Sequence, residues 1–512
     1  MRDYSNNLVL PDWLGSHKDS KHTAIECEDI EWSYSTLFEK ATSLAGFLKT
    51  RYGLNPGDRV SLISKDGIVS TLMIHALIQL EVVLVPINTR LSPSEMIWQI
   101  RNTGTKLLVY DSDQEEKVRE IQALMTDSDR FNSWLFCSEY EGFSRIQRKN
   151  IELNAVQSII HTSGTTGVPK GAQITFGNHW WSATGVAFRL GIHKEDRWLV
   201  PVPLFHVAGQ NVIIRSVIYG TTAIIQSSFD PERVNRMIDE KHITIVSVVP
   251  TMLKRMLDHR GNKPYPKELR CVLLGGGPAS KALLEQAEAL RLPVCLSYGL
   301  TESNSQIATL EPQDRLRKFG SVGNPMATTE IRIVSNNEDV PPGTVGEIVL
   351  RGPSIISGYF NNDEANKKSF RDGWFYTGDL GYLDEDGYLY VKDRRSDLII
   401  SGGENIYPAE VEAVIMEYEG VAEVGVVGMP DDEYGQVPVA VIVMNPGFSL
   451  HKDDFLEFCR KRLAKYKIPQ KIYLAESLPH NASGKLVRRQ LPKMIEKLET
   501  VACTLYLSDE KR

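Results

Sequence analysis

Apolar positions in the first 150 residues alternate between two periods. Leu37, Ala41, Leu44 and Leu48 recur at near-helical spacing and predict an amphipathic helix over 35–52. Residues 59–64 and 82–86 are short apolar runs that predict buried strands, with a helix over 67–80 between them. Residues 107–110 predict a further short strand. Strands alternating with helices predict an α/β layered domain with a largely parallel sheet. The alternation continues through 243–249 and 270–274, each strand-like and each followed by a helical pattern.

From Thr328 onward the pattern changes. Residues 330–334, 346–350 and 388–392 are short strand patterns split by turn signals such as Pro342-Gly343 and Asp386-Gly387, which predicts a small antiparallel β subdomain. The charged stretch 392–397 then precedes a last αβ unit, with helices over 408–419 and 455–464 and strands over 421–427 and 439–443. The expected fold is a large N-terminal domain of layered α/β subdomains plus a small β subdomain, residues 1–395, and a small mobile C-terminal α+β domain, residues 396–512.

Composition narrows the class. The chain has 512 residues, 42% apolar and 24% charged, which is ordinary for a globular protein. A net charge of −7 gives no basic excess for nucleic acid or an anionic membrane. The six cysteines show no CxxC or metal spacing and read as reduced thiols. No apolar segment suits a signal peptide or a membrane-spanning helix. A cytoplasmic protein is expected, and a homo-oligomer is compatible with these features.

The richest chemistry lies in Thr162–Lys170, TSGTTGVPK, directly after an apolar run. Glycine permits positive φ, so successive N–H groups can turn inward and form an anion nest. Thr162, Ser163, Thr165 and Thr166 add hydroxyls around Gly164, and Lys170 adds a point charge, so the loop suits a polyphosphate. It lacks the G-K-[ST] ending of a Walker A loop. Its order of residue types resembles the signature loop of the adenylate-forming superfamily, which includes acyl- and aryl-CoA ligases, luciferases and peptide-synthetase adenylation domains.

Later motifs extend that resemblance over nearly the whole chain. Ser297–Glu302 resembles the YGxTE motif, which implies Tyr298 stacked on a purine, Thr301 donating to the α-phosphate at a helix N-terminus, and Glu302 holding Mg²⁺. Gly275-Gly276-Gly277 follows a strand and is read either as a tight turn or as a ligand contact through Gly276. Pro203–His206 resembles a PxFH motif whose histidine, here His206, stands beside the carboxylate substrate. Asp379, in a TGD motif, and Arg394 imply a clamp on the ribose. Gly402 and Gly403 resemble the segment lining the pantetheine tunnel, and Lys485, in NASGK, the catalytic lysine that meets the carboxylate and α-phosphate. Lys465 and Lys467 are read as a solvated basic face, with an anionic end of CoA as the alternative. Ser396 stands at the position of the interdomain hinge. Substrates and cofactors implied are ATP, Mg²⁺, coenzyme A and a small carboxylic acid.

Three stretches, 176–180, 215–220 and 305–310, together with 393–408 resemble bacterial o-succinylbenzoate–CoA ligases of menaquinone synthesis. That acid carries a second carboxylate. Arg215 is a candidate for it through its charge, although a surface position on a helix is the expectation. Gln210-Asn211 departs from the smaller or apolar pair expected there. A ligase for a fatty or aryl acid, an adenylation module serving a carrier protein, and a non-catalytic nucleotide-binding regulator are the alternatives.

Overall fold

In the computed structural model, described residues are 8–126, 131–162, 169–276, 279, 281–393, 397–479, 486 and 488–498. The chain divides into two compact units. The first comprises Met1–Thr89, Gln99–His161 and Gly171–Lys392, and the second Arg90–Trp98, Thr162–Lys170 and Asp393–Arg512. The boundary expected at Arg395/Ser396 falls outside the described residues.

The first unit is built on three large sheets and a two-stranded pairing of Val9–Pro11 with Asn150–Glu152. One has six strands in the order Lys170–Thr175, Val156–Thr162, Val83–Pro86, Arg59–Ile63, Leu107–Tyr110, Asn132–Leu135. The pairings among its last five strands are parallel, as the apolar runs predict for strands covered on both faces. Val83–Pro86 is buried throughout. The helix Gly67–Leu80 lies where the sequence predicts it. Asp66 caps it by accepting from the N–H groups of Ile68 and Val69.

The second sheet has nine strands, parallel through its centre from Thr23–Cys27 to Val294–Leu300. It ends in an antiparallel return, Ser305–Leu310, that pairs with Val294–Leu300. The third sheet is antiparallel, with Glu330–Ser335, Gly346–Arg351 and Trp374–Leu383 at its heart. This is the predicted small β subdomain.

The second unit carries a five-stranded sheet. Val421–Asp431 and Gly435–Met444 form its long antiparallel hairpin, against which Pro408–Met416 packs through Val411 and Ile415. Among the described residues no helix is long and apolar enough to cross a membrane.

Candidate functional site

The glycine-rich loop joins two strands of the six-stranded sheet. Ser163, Gly164, Thr165 and Thr166 lie outside the described residues. Its two ends are set: Thr162 Oγ1 donates to the carbonyl of Lys170 at 3.4 Å. Gly171 follows, where a Cβ would come within 2.8 Å of Ile159 Cγ2, so close strand packing requires glycine.

Tyr298 lies on the strand Val294–Leu300, and Thr301 and Glu302 on the reversal that joins it to Ser305–Leu310. Tyr298 is buried, and its hydroxyl donates to Asp379 Oδ2 at 2.5 Å. Asp379 is buried too, and its N–H donates to Thr377 Oγ1, which in turn donates to the Ile348 carbonyl. Gly378 N–H donates to Glu347 Oε1. The structure thus brings two sequence-predicted residues, Tyr298 and Asp379, into direct contact across 81 positions. Glu302 is half-buried. Its Oε1 accepts from the Tyr359 hydroxyl at 2.9 Å, and its carbonyl accepts from Ile356 N–H.

One expectation needs correction. Thr301 does not open an α-helix. It begins a three-residue 3₁₀ turn, Thr301–Ser303, after which Asn304 takes left-handed values and the chain returns as a strand. No helix macrodipole acts there. A phosphate at Thr301 would meet the hydroxyl and turn N–H groups alone.

His206 caps the helix Val207–Tyr219 through its backbone (φ −89°, ψ 148°), leaving the imidazole half-buried and 4.7 Å from the Phe205 ring. The same helix corrects the expectation for Arg215, which is not on the surface: it is 1% exposed. Its Nη2 donates to Ser182 Oγ at 2.8 Å and its Nη1 to Gln306 Oε1 at 3.3 Å. Neither partner is charged, Nε has no partner among the described residues, and burial holds the guanidinium below its ordinary value. Gln210 and Asn211 are fully buried.

Asn211 belongs to a polar network that no sequence motif announces. Its Oδ1 faces His179 Nδ1 at 2.9 Å, and its Nδ2 donates to the Asn304 carbonyl and side chain. Burial pushes His179 down to about 4, against the opposing bond to Asn211, so the imidazole is neutral. His179 lies within the stretch 176–180 that carried the family resemblance, but no apolar periodicity distinguishes a networked core histidine from a packed one.

Gly276 sits just past the strand Cys271–Leu274 with φ 82°, a left-handed position that glycine fills without strain. Gly402 and Gly403, at φ 56° and 86°, form the two-residue turn of a hairpin in which Ser401 pairs with Glu404. They close a β-hairpin.

Lys467 also departs from expectation. It is 3% exposed, and its Nζ donates to Glu95 Oε1 at 2.7 Å and Glu410 Oε1 at 2.6 Å within the second unit. Burial alone would lower it, but the two carboxylates outweigh burial and hold it above its ordinary value. It is neither a solvated face nor open to an anion, whereas Lys465 is exposed. Arg394, Ser396 and Lys485 lie outside the described residues. Among the described residues no cluster of three histidine, cysteine or acidic side chains could hold a metal by itself.

Comparison with known proteins accounts for this arrangement. Residues 15–360 match the AMP-binding enzyme family and residues 410–485 its C-terminal domain. The chain is 42% identical to a 2-succinylbenzoate–CoA ligase of Bacillus cereus over 495 residues, 96% of this chain and 99% of that one. Among solved structures it resembles a double mutant of o-succinylbenzoate CoA synthetase from Bacillus subtilis bound with its product analogue OSB-NCoA, with a TM-score of 0.89, 39% identity and coverage of 95% and 98%. It also resembles the enzyme of the same organism in complex with ATP and magnesium ion, with a TM-score of 0.73, 39% identity and coverage of 95% and 100%. With both family models matched in order along one chain, the protein belongs to the AMP-binding enzyme family.

Proposed function

We propose that the chain is an ATP-dependent 2-succinylbenzoate–CoA ligase acting in menaquinone biosynthesis. Its likeness to such ligases along nearly its whole length carries the reading. The reaction has two steps. A carboxylate oxygen attacks the ATP α-phosphorus and pyrophosphate leaves, giving an acyl-adenylate. The CoA thiolate then attacks the acyl carbon and AMP leaves.

Each residue has a part that its chemistry suits. The loop Thr162–Lys170 cradles the β- and γ-phosphates. Tyr298 and Asp379, already hydrogen-bonded to each other, present one wall to the nucleoside, with Arg394 beside the ribose. Glu302 fits Mg²⁺: it is a hard carboxylate, half-buried and oriented by Tyr359, and the ion would neutralise phosphate charge there. His206 faces the reacting carboxylate, Lys485 neutralises charge during adenylation, and Gly402 and Gly403 border the pantetheine arm. The five described cysteines are free thiols, in keeping with a cytoplasmic enzyme.

Arg215 speaks for an acid with a second carboxylate. Among the described residues the buried guanidinium is held by the neutral oxygens of Ser182 and Gln306, and a buried charge is costly to maintain without a counter-ion. A carboxylate oxygen would replace Gln306 Oε1 on Nη1. A panel of acids scored by pyrophosphate release tests the assignment: o-succinylbenzoate should give the highest kcat/KM. A higher value for benzoate or a medium-chain fatty acid would leave the ligase class standing and overturn the substrate. Arg215→Ala should cost about 1.5–3 kcal/mol in kcat/KM, the range for a hydrogen bond to a charged group. Unchanged kinetics would return Arg215 to a packing role.

A further inference from the structure

The backbone that carries Glu302 is tightly constrained. Asn304 and Ser305 follow it with φ of 50° and 92°, two consecutive non-glycine residues in the left-handed half of conformational space. Opposite them, a Cβ on Gly299 would lie 2.1 Å from the Ser305 carbonyl oxygen. The register of the hairpin shifts between Tyr298 and Gly299. The local support for this shape is Ser303, whose Oγ accepts from Leu300 N–H and bridges to the carbonyl of Ser305.

The other holding groups come from two helices remote in sequence. Ser182 Oγ and His179 belong to Phe176–Leu190, and Asn211 belongs to Val207–Tyr219. The Asn304 carbonyl accepts from Ser182 Oγ at 2.8 Å and from Asn211 Nδ2 at 3.1 Å. Asn304 Oδ1 accepts from Asn211 Nδ2 at 3.0 Å, and Asn304 Nδ2 lies 3.2 Å from His179 Nδ1. His179 Nε2 meets Gln157 Oε1 at 3.0 Å. Asn211 and Asn304 are fully buried, as is His179. Ser182 is also the residue to which Arg215 donates, and the Asn211 helix begins at His206. Hydrogen bonds buried in a low dielectric are electrostatically stronger than in water, so this network restrains the turn that it holds.

We propose that Asn211, His179 and Asn304 are positioning residues that fix the Glu302 turn and tie it to the helix bearing His206 and Arg215. The acid pocket and the phosphate end of the nucleotide are then set by one hydrogen-bonded unit. The inference rests on the reading of Glu302 as the Mg²⁺ ligand. The three residues act through the turn, not by touching substrate or metal.

Two variants of the full-length protein test it. Asn304→Gly keeps a backbone that accepts positive φ and deletes the side chain. Asn211→Leu keeps the volume and deletes the donors. The measurement is acid-dependent ATP–pyrophosphate exchange against Mg²⁺ concentration, with thermal melting alongside. Each variant should raise the Mg²⁺ concentration for half-maximal exchange at least fivefold and lower kcat about tenfold, by the precision that positioned groups require. Asn304→Gly should melt close to wild type. A fall in kcat with unchanged Mg²⁺ dependence in whichever variant folds would reduce the network to a structural role, and wild-type kinetics would also overturn it. Glu302→Gln is the control. If it leaves the Mg²⁺ dependence unchanged, the reading of Glu302 fails and takes the proposal with it. If it shifts that dependence and the network variants do not, the network proposal alone fails.

Discussion

Two tight reversals in this chain solve one geometric problem by opposite means. The turn at Ser401–Glu404 in the second unit needs two residues at positive φ and uses glycine at both, Gly402 and Gly403. That is the pattern of a type I′ hairpin, whose twist suits the strands it joins. The turn at Thr301–Gln306 in the first unit also needs two such residues but uses Asn304 and Ser305. Each non-glycine residue held there costs about 1–3 kcal/mol. The glycine turn explains itself locally. The other persists because Asn211, Ser182 and His179 converge on Asn304 from elsewhere in the fold. A turn that chain chemistry would relax, and that distant residues hold, is where function is to be sought.

The contrast extends to the two half-reactions. We assign the first-unit turn, through Glu302, to the floor on which adenylation occurs, and single half-reactions to segments of the second unit. The sharpest break is Lys485→Ala. It should lower acyl-AMP formation by about 10²–10³-fold, the usual effect of removing one preorganised charge-stabilising group. Thioester formation from supplied acyl-AMP should stay within about twofold of wild type. Equal loss in both half-reactions would dissolve the division of labour.

A second test addresses the cost of the held turn. His179, and likewise His75, are fully buried and pushed by burial from an ordinary 6.5 down to about 4. Their folded values lie below their unfolded ones, so the unfolded chain binds more protons between those limits. Stability is therefore complete above about pH 6.5 and is lost as pH falls toward 4. Each imidazole should cost about 2 kcal/mol between about pH 7.5 and about pH 5. Urea midpoints at the two pH values measure this. In His179→Gln the drop should be smaller by one imidazole's share. A drop as steep as that of wild type would mean that His179 does not titrate on unfolding and that its network is not a neutral one.

How far the sequence carried these conclusions differs between the regions. The apolar runs 59–64, 82–86 and 107–110 disclosed a parallel sheet because strands covered on both faces have little choice but continuous apolar residues. Glycine pairs and the TGD and YGxTE spacings were equally visible. What stayed hidden depends on long-range approach. Arg215 reads as a surface arginine because its charge argues for water, and only the fold places it beside Ser182 and Gln306. Lys467 misleads in the same way until Glu95 and Glu410 close on it. Thr301 reads as the opening of a helix because a threonine before a glutamate fits an N-cap, yet the antiparallel pairing of 294–300 with 305–310 overrides that local preference. Tyr359 gave no motif at all, and its role in orienting Glu302 follows only from their contact.

The finest test asks whether the glycines of the second-unit turn serve more than the turn. Asparagine is favoured at the first central position of a type I′ turn, so Gly402→Asn keeps the hairpin chemistry while adding a side chain. Its Cβ would stand 3.1 Å from Tyr434 Cδ1, so that ring must yield by a few tenths of an ångström. If glycine is there only for the turn, the variant should match wild type in stability and in both half-reactions. If Gly402 borders the pantetheine arm, as we propose, CoA-dependent turnover of preformed acyl-AMP should fall about tenfold, or about 1.4 kcal/mol. ATP–pyrophosphate exchange should remain within about twofold. Stability should change by no more than about 0.5 kcal/mol, as for a surface substitution that keeps its backbone. A loss confined to the CoA step would show that a turn legible as local chemistry also serves a substrate. Two unchanged half-reactions would leave the first-unit turn as the functional one of the pair.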